Sequence, residues 1–97
     1  MIEILIIGTN QPIMETVKRL IDRDGKWFAT IAFSYQEACE LCLEKDFSLA
    51  LFGGGLTGEE EKELQTYFSQ VKPKLPIVKH YGGGSGLLYA EIYQAIG

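Results

Sequence analysis

Short runs of consecutive apolar residues alternate along this chain with longer stretches in which apolar positions recur at helical spacing. The first pattern marks strands buried on both faces, and the second marks helices with one apolar stripe. Ile2, Ile4, Leu5, Ile6 and Ile7 predict a strand over about 2–7. After a turn, Pro12 suits a first helical turn, where its missing N–H would have no partner anyway. Ile13, Val17, Leu20 and Ile21 predict a helix over about 12–24 that Gly25 stops. The β-branched and aromatic stretch 27–33 is a second strand.

Ser34 and Glu37 form a capping box, in which hydroxyl and carboxylate satisfy reciprocal backbone N–H groups. It opens a helix over about 35–45, with Ala38, Leu41 and Cys42 inward. A third strand covers 47–52. Thr57 and Glu60 form a second capping box ahead of a helix over 58–71. Glu59, Glu60 and Glu61 suit the positive end of that helix, and Leu64, Tyr67, Phe68 and Val71 form its stripe. A stiff linker with Pro73 and Pro76 leads to a fourth strand over 77–81, a glycine loop, and a last helix over 86–96.

Strands alternating with helices predict one α/β domain over 1–97. Its architecture is three-layered: a four-stranded parallel sheet, right-handed crossovers, and helices on both faces. The two glycine clusters, 53–55 and 82–84, each follow a strand. Both therefore lie at the carboxyl edge of the sheet, where open α/β folds bind ligands.

Composition narrows the function. The chain has 97 residues, 46% of them apolar and 11% aromatic, which suits one soluble globular core. Net charge is −4 and the nine Lys and Arg are scattered, clustering only at Lys72 and Lys74. Nucleic acid and anionic membranes demand local positive potential, so neither is an expected partner. No apolar run approaches the ~20 residues of a membrane span. The opening residues lack a basic n-region and read as a strand rather than a signal peptide, giving a cytoplasmic expectation. Cys39 and Cys42 have redox CxxC spacing but fall inside a helix instead of at its start. They read as small core residues.

The middle of the chain carries a recognisable cadence: Ala32, Phe33, the capping Ser34, Glu37-Ala38, Leu41, then Lys45-Asp46 and the buried strand ending in Phe52. It resembles the receiver domains of two-component response regulators over about four fifths of the chain, from Met1 to about Tyr81. The resemblance implies a truncated flavodoxin-like sheet of order 2-1-3-4. It also implies where phosphorylation chemistry would sit. The acidic pair that would hold magnesium falls on Gly8 and Thr9, and the phosphoacceptor on Gly53. The switch hydroxyl falls near His80 or Tyr81, and the usual lysine of a fifth strand has no counterpart. Those positions are degenerate, and no catalytic residue, metal or cofactor is expected there. Hard cations need oxygen ligands that this edge does not offer.

The expectation is a non-catalytic pseudo-receiver acting through protein contacts in bacterial signalling. Without a fifth strand, strand four becomes an edge, with Lys79 as a guard against unwanted pairing. The last helix is apolar beyond what one sheet contact needs. A protein partner, or a homodimer through strand four and Leu87, Leu88, Ile92, Tyr93 and Ile96, follows as a reading. The alternative is a binder of a small anionic ligand or nucleotide through the glycine-rich loops, using Thr9, Asn10, Gly54, Lys79, His80, Gly83, Gly84 and Ser85. Glycine-rich turns can present N–H groups to a phosphate, or they can simply be places where the backbone needs positive φ. His80, the single histidine, has no carboxylate partner evident in sequence and reads as a surface or edge residue.

Overall fold

The computed structural model describes residues 2–23, 25–80 and 84–96, with side chains from residue 86 onward in the last stretch. Its elements are β1 (Ile2–Ile7), α1 (Gln11–Asp22), β2 (Trp27–Ala32), α2 (Tyr35–Glu44), β3 (Leu49–Phe52), α3 (Gly58–Val71), β4 (Ile77–Lys79) and α4 (Gly84–Ile96). The strands form one parallel sheet of order β2-β1-β3-β4. Asp24 and Tyr81, at the ends of the expected first helix and fourth strand, lie outside the described residues.

Local chemistry sets the boundaries. The side-chain oxygen of Asn10 accepts from the Ile13 N–H at 3.2 Å, so α1 starts at Gln11. Ser34 and Thr57 cap α2 and α3 in the same way, and Thr57 with Glu60 completes a reciprocal box. β3 begins at Leu49, two residues later than the apolar run suggests. Phe47 instead packs against the core below α2 and α3.

Alternation along the strands divides the core. Ile4 and Ile6 face one layer with Met14, Val17, Ile21, Leu88 and Ile92; Leu5 and Ile7 face the other with Ala38, Cys42, Leu64 and Phe68. Helices α1 and α4 therefore share one face, and α2 and α3 the other. The direction of the crossovers dictates this. The chain steps from β2 across to β3 and on to β4 in one direction, which keeps two right-handed connections on one side. The last helix then covers the face that α1 alone would leave half bare. It is tied to the far end of the sheet. The Tyr89 hydroxyl donates to the Leu20 carbonyl at 2.7 Å, and the Trp27 ring meets Tyr93 edge-on at 4.9 Å between centroids.

The two sheet edges are treated differently. Parallel pairing turns the N–H and C=O of Ala29 outward from β2. The Asp22 carboxylate accepts from that N–H at 2.8 Å, and the Lys18 ammonium donates to that carbonyl at 2.5 Å. Lys18 and Asp22 are themselves paired at 2.9 Å, and the ammonium sits 4.3 Å from the Phe28 ring centroid. One turn of α1 thus supplies the hydrogen bonds of a missing neighbour strand, which blocks edge-to-edge pairing there. On β4 the outward groups belong to Ile77 and Lys79, and among the described residues no side chain meets them. Lys79 is not the expected guard, because Glu61 draws its ammonium onto the α3 side at 3.3 Å.

Asp22→Ala should lower the unfolding free energy by about 1–2 kcal/mol, since it leaves the Ala29 N–H without its acceptor. Urea denaturation checks this, with the exposed Lys62→Ala expected to change stability by less than about 0.5 kcal/mol.

Candidate functional site

The carboxyl edge of the sheet brings together the β1–α1 turn, the β3–α3 loop and the end of β4. The first two are hydrogen-bonded to each other. The Thr9 and Asn10 N–H groups both donate to the Gly54 carbonyl, at 3.1 and 3.4 Å, and the Gly53 N–H donates to the Ile7 carbonyl at 2.7 Å. Gly8 donates to Ala32 on the other side at 3.0 Å. This proximity rests on missing side chains. A Cβ on Gly8 would stand 2.5 Å from the Met14 sulfur and 2.8 Å from the Gly54 oxygen. A Cβ on Gly53 would stand 2.7 Å from the same sulfur and 2.9 Å from the Met14 methyl carbon. Both gaps are tighter than real Cβ contacts, so a side chain at either position would require the Met14 thioether to move, and at Gly8 the Gly54 backbone oxygen as well. Met14, on the first turn of α1 and fully buried, lays its thioether across both glycines. Gly55 needs glycine for another reason, a φ of +95°.

The predicted ligand residues are only partly assembled. Thr9 and Asn10 lie beside Gly54, but their N–H groups are already engaged by its carbonyl. The Asn10 side-chain oxygen is spent as a helix cap. The start of α3 is closed by its capping box, with Thr57 and Glu60 bonded reciprocally at 3.0 and 3.1 Å. Lys79 is held by the buried Glu61. Gly83 lies outside the described residues, and Gly84 and Ser85 start α4 without described side chains.

His80 departs from expectation. It is 8% exposed instead of lying on the surface, and its Nδ1 lies 2.5 Å from Oε1 of Glu91. The partner was hidden from sequence because it sits eleven residues on, across the glycine loop and two turns into α4. Two of the expected interface residues also move. Leu88 and Ile92 are core residues of this same chain, since α4 packs on the α1 face. Ile96 lies half-buried against that core, while Leu87 and Tyr93 remain exposed.

A groove that the sequence did not reveal runs between α1 and α4. Pro12, Ile13, Thr16, Val17, Leu20, His80 and Leu88 line about 320 Å³. On the opposite face, Cys42 is buried and Cys39 half-buried inside α2, and burial pushes both thiols up. That is the reverse of a reactive redox pair.

No family model matches the chain, and no curated protein matches it. Solved structures do. A sensor protein from Polaromonas sp. JS666 superposes with a TM-score of 0.85 at 14% identity, covering 98% of this chain and 95% of that one. A CheY-like response regulator receiver domain from Methanospirillum hungatei JF-1 gives 0.74 at 23%, covering 99% and 76%. The response regulator TrrA from Thermotoga maritima, solved with magnesium and beryllofluoride, gives 0.73 at 16%, covering 98% and 82%. The fold is therefore that of a response-regulator receiver, with four strands among the described residues, and the chain spans 76% and 82% of the two regulators.

Gly53→Ala should destabilise the protein by about 1–3 kcal/mol by overpacking against Met14. Met14→Ala should cost about 2–5 kcal/mol. The double variant should lose less than the sum, because removing the thioether vacates the space the new methyl needs. Chemical denaturation of the four proteins tests this, with Gly58→Ala, whose added Cβ meets nothing, as the neutral control.

Proposed function

We propose that this chain is a pseudo-receiver: a regulatory module of bacterial signalling that works by protein contact and does not accept a phosphoryl group. The observation that carries this reading is the Met14 thioether lying over Gly8 and Gly53, the positions where the receiver resemblance puts a metal-binding acid and the phosphoacceptor. A receiver needs an open, acidic, metal-holding pocket there. Here the two loops are closed on each other and the space between them is apolar. Losing a single aspartate could be compensated by a neighbour. Filling its pocket from a third element is a different matter, because restoring the carboxylate would bury a charge against sulfur.

The same geometry weighs against an anionic ligand in these loops. The N–H groups of Gly8, Thr9, Asn10 and Gly53 are already taken by carbonyls, and the first turn of α3 carries Glu59, Glu60 and Glu61. What supports a contact role is that the outward groups of Ile77 and Lys79 on the β4 edge meet no side chain among the described residues, and that Leu87 on α4 is exposed. The partner in this proposal is a second copy of the chain, paired through that edge and the neighbouring face of α4.

Incubation with radiolabelled acetyl phosphate and magnesium should leave the protein unlabelled, and beryllofluoride should not shift its melting temperature. Label incorporation or a beryllofluoride shift would overturn the reading. Light scattering at high micromolar concentration should report a dimer that Leu87→Lys dissociates. A monomer throughout would remove the self-association part while leaving the phosphorylation part intact.

A further inference from the structure

The His80–Glu91 pair is not used by the closed loops. His80 follows β4 and lies in register with Gly53, and its imidazole reaches the α1–α4 side, where it lines the apolar groove. A carboxylate can only accept a hydrogen bond, so Glu91 makes Nδ1 the donor, and in the neutral ring Nε2 is then an acceptor. Among the described residues the ring has no other hydrogen-bond partner. The second polar side chain of the groove, Thr16, has already donated its hydroxyl to the Pro12 carbonyl at 3.0 Å. The cleft has apolar walls and, among the described residues, two polar side chains: Thr16, whose oxygen can still accept, and the largely buried His80 imidazole, which Glu91 orients so that Nε2 accepts when the ring is neutral. Its volume of about 320 Å³ falls at the lower end of the range of small-molecule sites. Ile13, 47% exposed, forms its outer lip.

We propose that this groove is a binding site for a small neutral aromatic molecule carrying one O–H or N–H donor. The ring lies between Ile13, Val17, Leu20 and Leu88, and the donor reaches Nε2 of His80. Glu91 acts as a positioning residue: it holds the imidazole in the tautomer that accepts. Anions are disfavoured, because a carboxylate lies behind the imidazole and no Lys or Arg lines the cleft among the described residues. This goes beyond the contact role proposed above, and it does not depend on whether the chain dimerises.

The test is a protein-observed NMR titration of the full chain with p-cresol and with toluene, which share shape and differ in the donor. Shifts should centre on Ile13, Thr16, Leu20 and Leu88, and p-cresol should bind about tenfold tighter than toluene, the worth of one oriented hydrogen bond. His80→Phe should abolish the preference and keep toluene binding. Should that variant fail to fold, Glu91→Gln serves instead: it leaves the groove but weakens control of the tautomer, and should shrink the preference. Thr16→Phe, on the exposed side of α1, should fill the groove and block both probes. Equal affinities in the unsubstituted protein, shifts centred elsewhere, or no shift with either probe up to its solubility would overturn the proposal. Failure here leaves the phosphorylation and dimer experiments unaffected.

Discussion

The arrangement depends on how closely β1 and β3 approach at their carboxyl ends. These are the two central strands of the sheet, and all of Ile4, Leu5, Ile6, Ile7, Leu49, Ala50, Leu51 and Phe52 are fully buried. Beyond them the chain has to leave the sheet in two directions, α1 to one face and α3 to the other. In a receiver that parting leaves room for carboxylates. Here glycine at 8 and 53 lets the two turns hydrogen-bond to each other, and the sulfur of Met14 fills what space remains. Methionine suits such a gap because it is unbranched and adapts to an irregular shape. The packing also has a consequence for chemistry. On the reading proposed above, restoring phosphorylation would need the acceptor, the metal-holding acids and the space held by Met14 to return together.

Much of this was legible in the sequence, and what was not has physical causes. The strand runs, the Thr57–Glu60 capping box and the strand order follow from periodicity, composition and resemblance, and the structure has them; of the expected Ser34–Glu37 box only the Ser34 half forms, because the Glu37 carboxylate accepts from the Phe33 N–H instead. The phase of α1 was less legible. Ile13, Val17, Leu20 and Ile21 fit a stripe, but so do Met14, Val17 and Ile21, and with apolar residues at both 13 and 14 the pattern alone does not choose. The fold puts Met14 inside and leaves Ile13 on the surface. The most informative side chain of the closed site was therefore the one that periodicity treated as interchangeable with its neighbour.

Long-range pairing leaves no local trace in the sequence. His80 has no carboxylate near it in sequence, because Glu91 arrives only when α4 folds back over the α1 face. Glu61 reads as one of three acids favoured at a helix start. In the structure it is buried and faces Lys79, so its neighbours Glu59 and Glu60 suit the helix dipole while Glu61 also binds β4 to α3. Likewise the apolar excess of α4 looked like an interface. Most of it is used within the chain, against β3, β4 and the Trp27 end of β2. A helix that must cover a sheet face and also close against another helix needs a broader stripe than a helix with one contact.

The last helix connects the features on which both proposals rest. It packs against β4, carries Glu91 against His80, and forms one wall of the α1–α4 groove through Leu88. The sheet centre, with its fully buried strands and mutually bonded loops, has little room to hold two arrangements. If a small molecule in the groove and a partner at the β4 edge both bind, each favours some positions of α4 over others. Linkage then requires that whatever one does to the affinity of the other is returned by the same factor. A receiver couples a phosphate to its output face through chemistry at the centre of the carboxyl edge. If that centre takes no phosphate, as proposed, a coupling between the α1–α4 groove and β4 would run through α4, which packs against β4 and walls the groove.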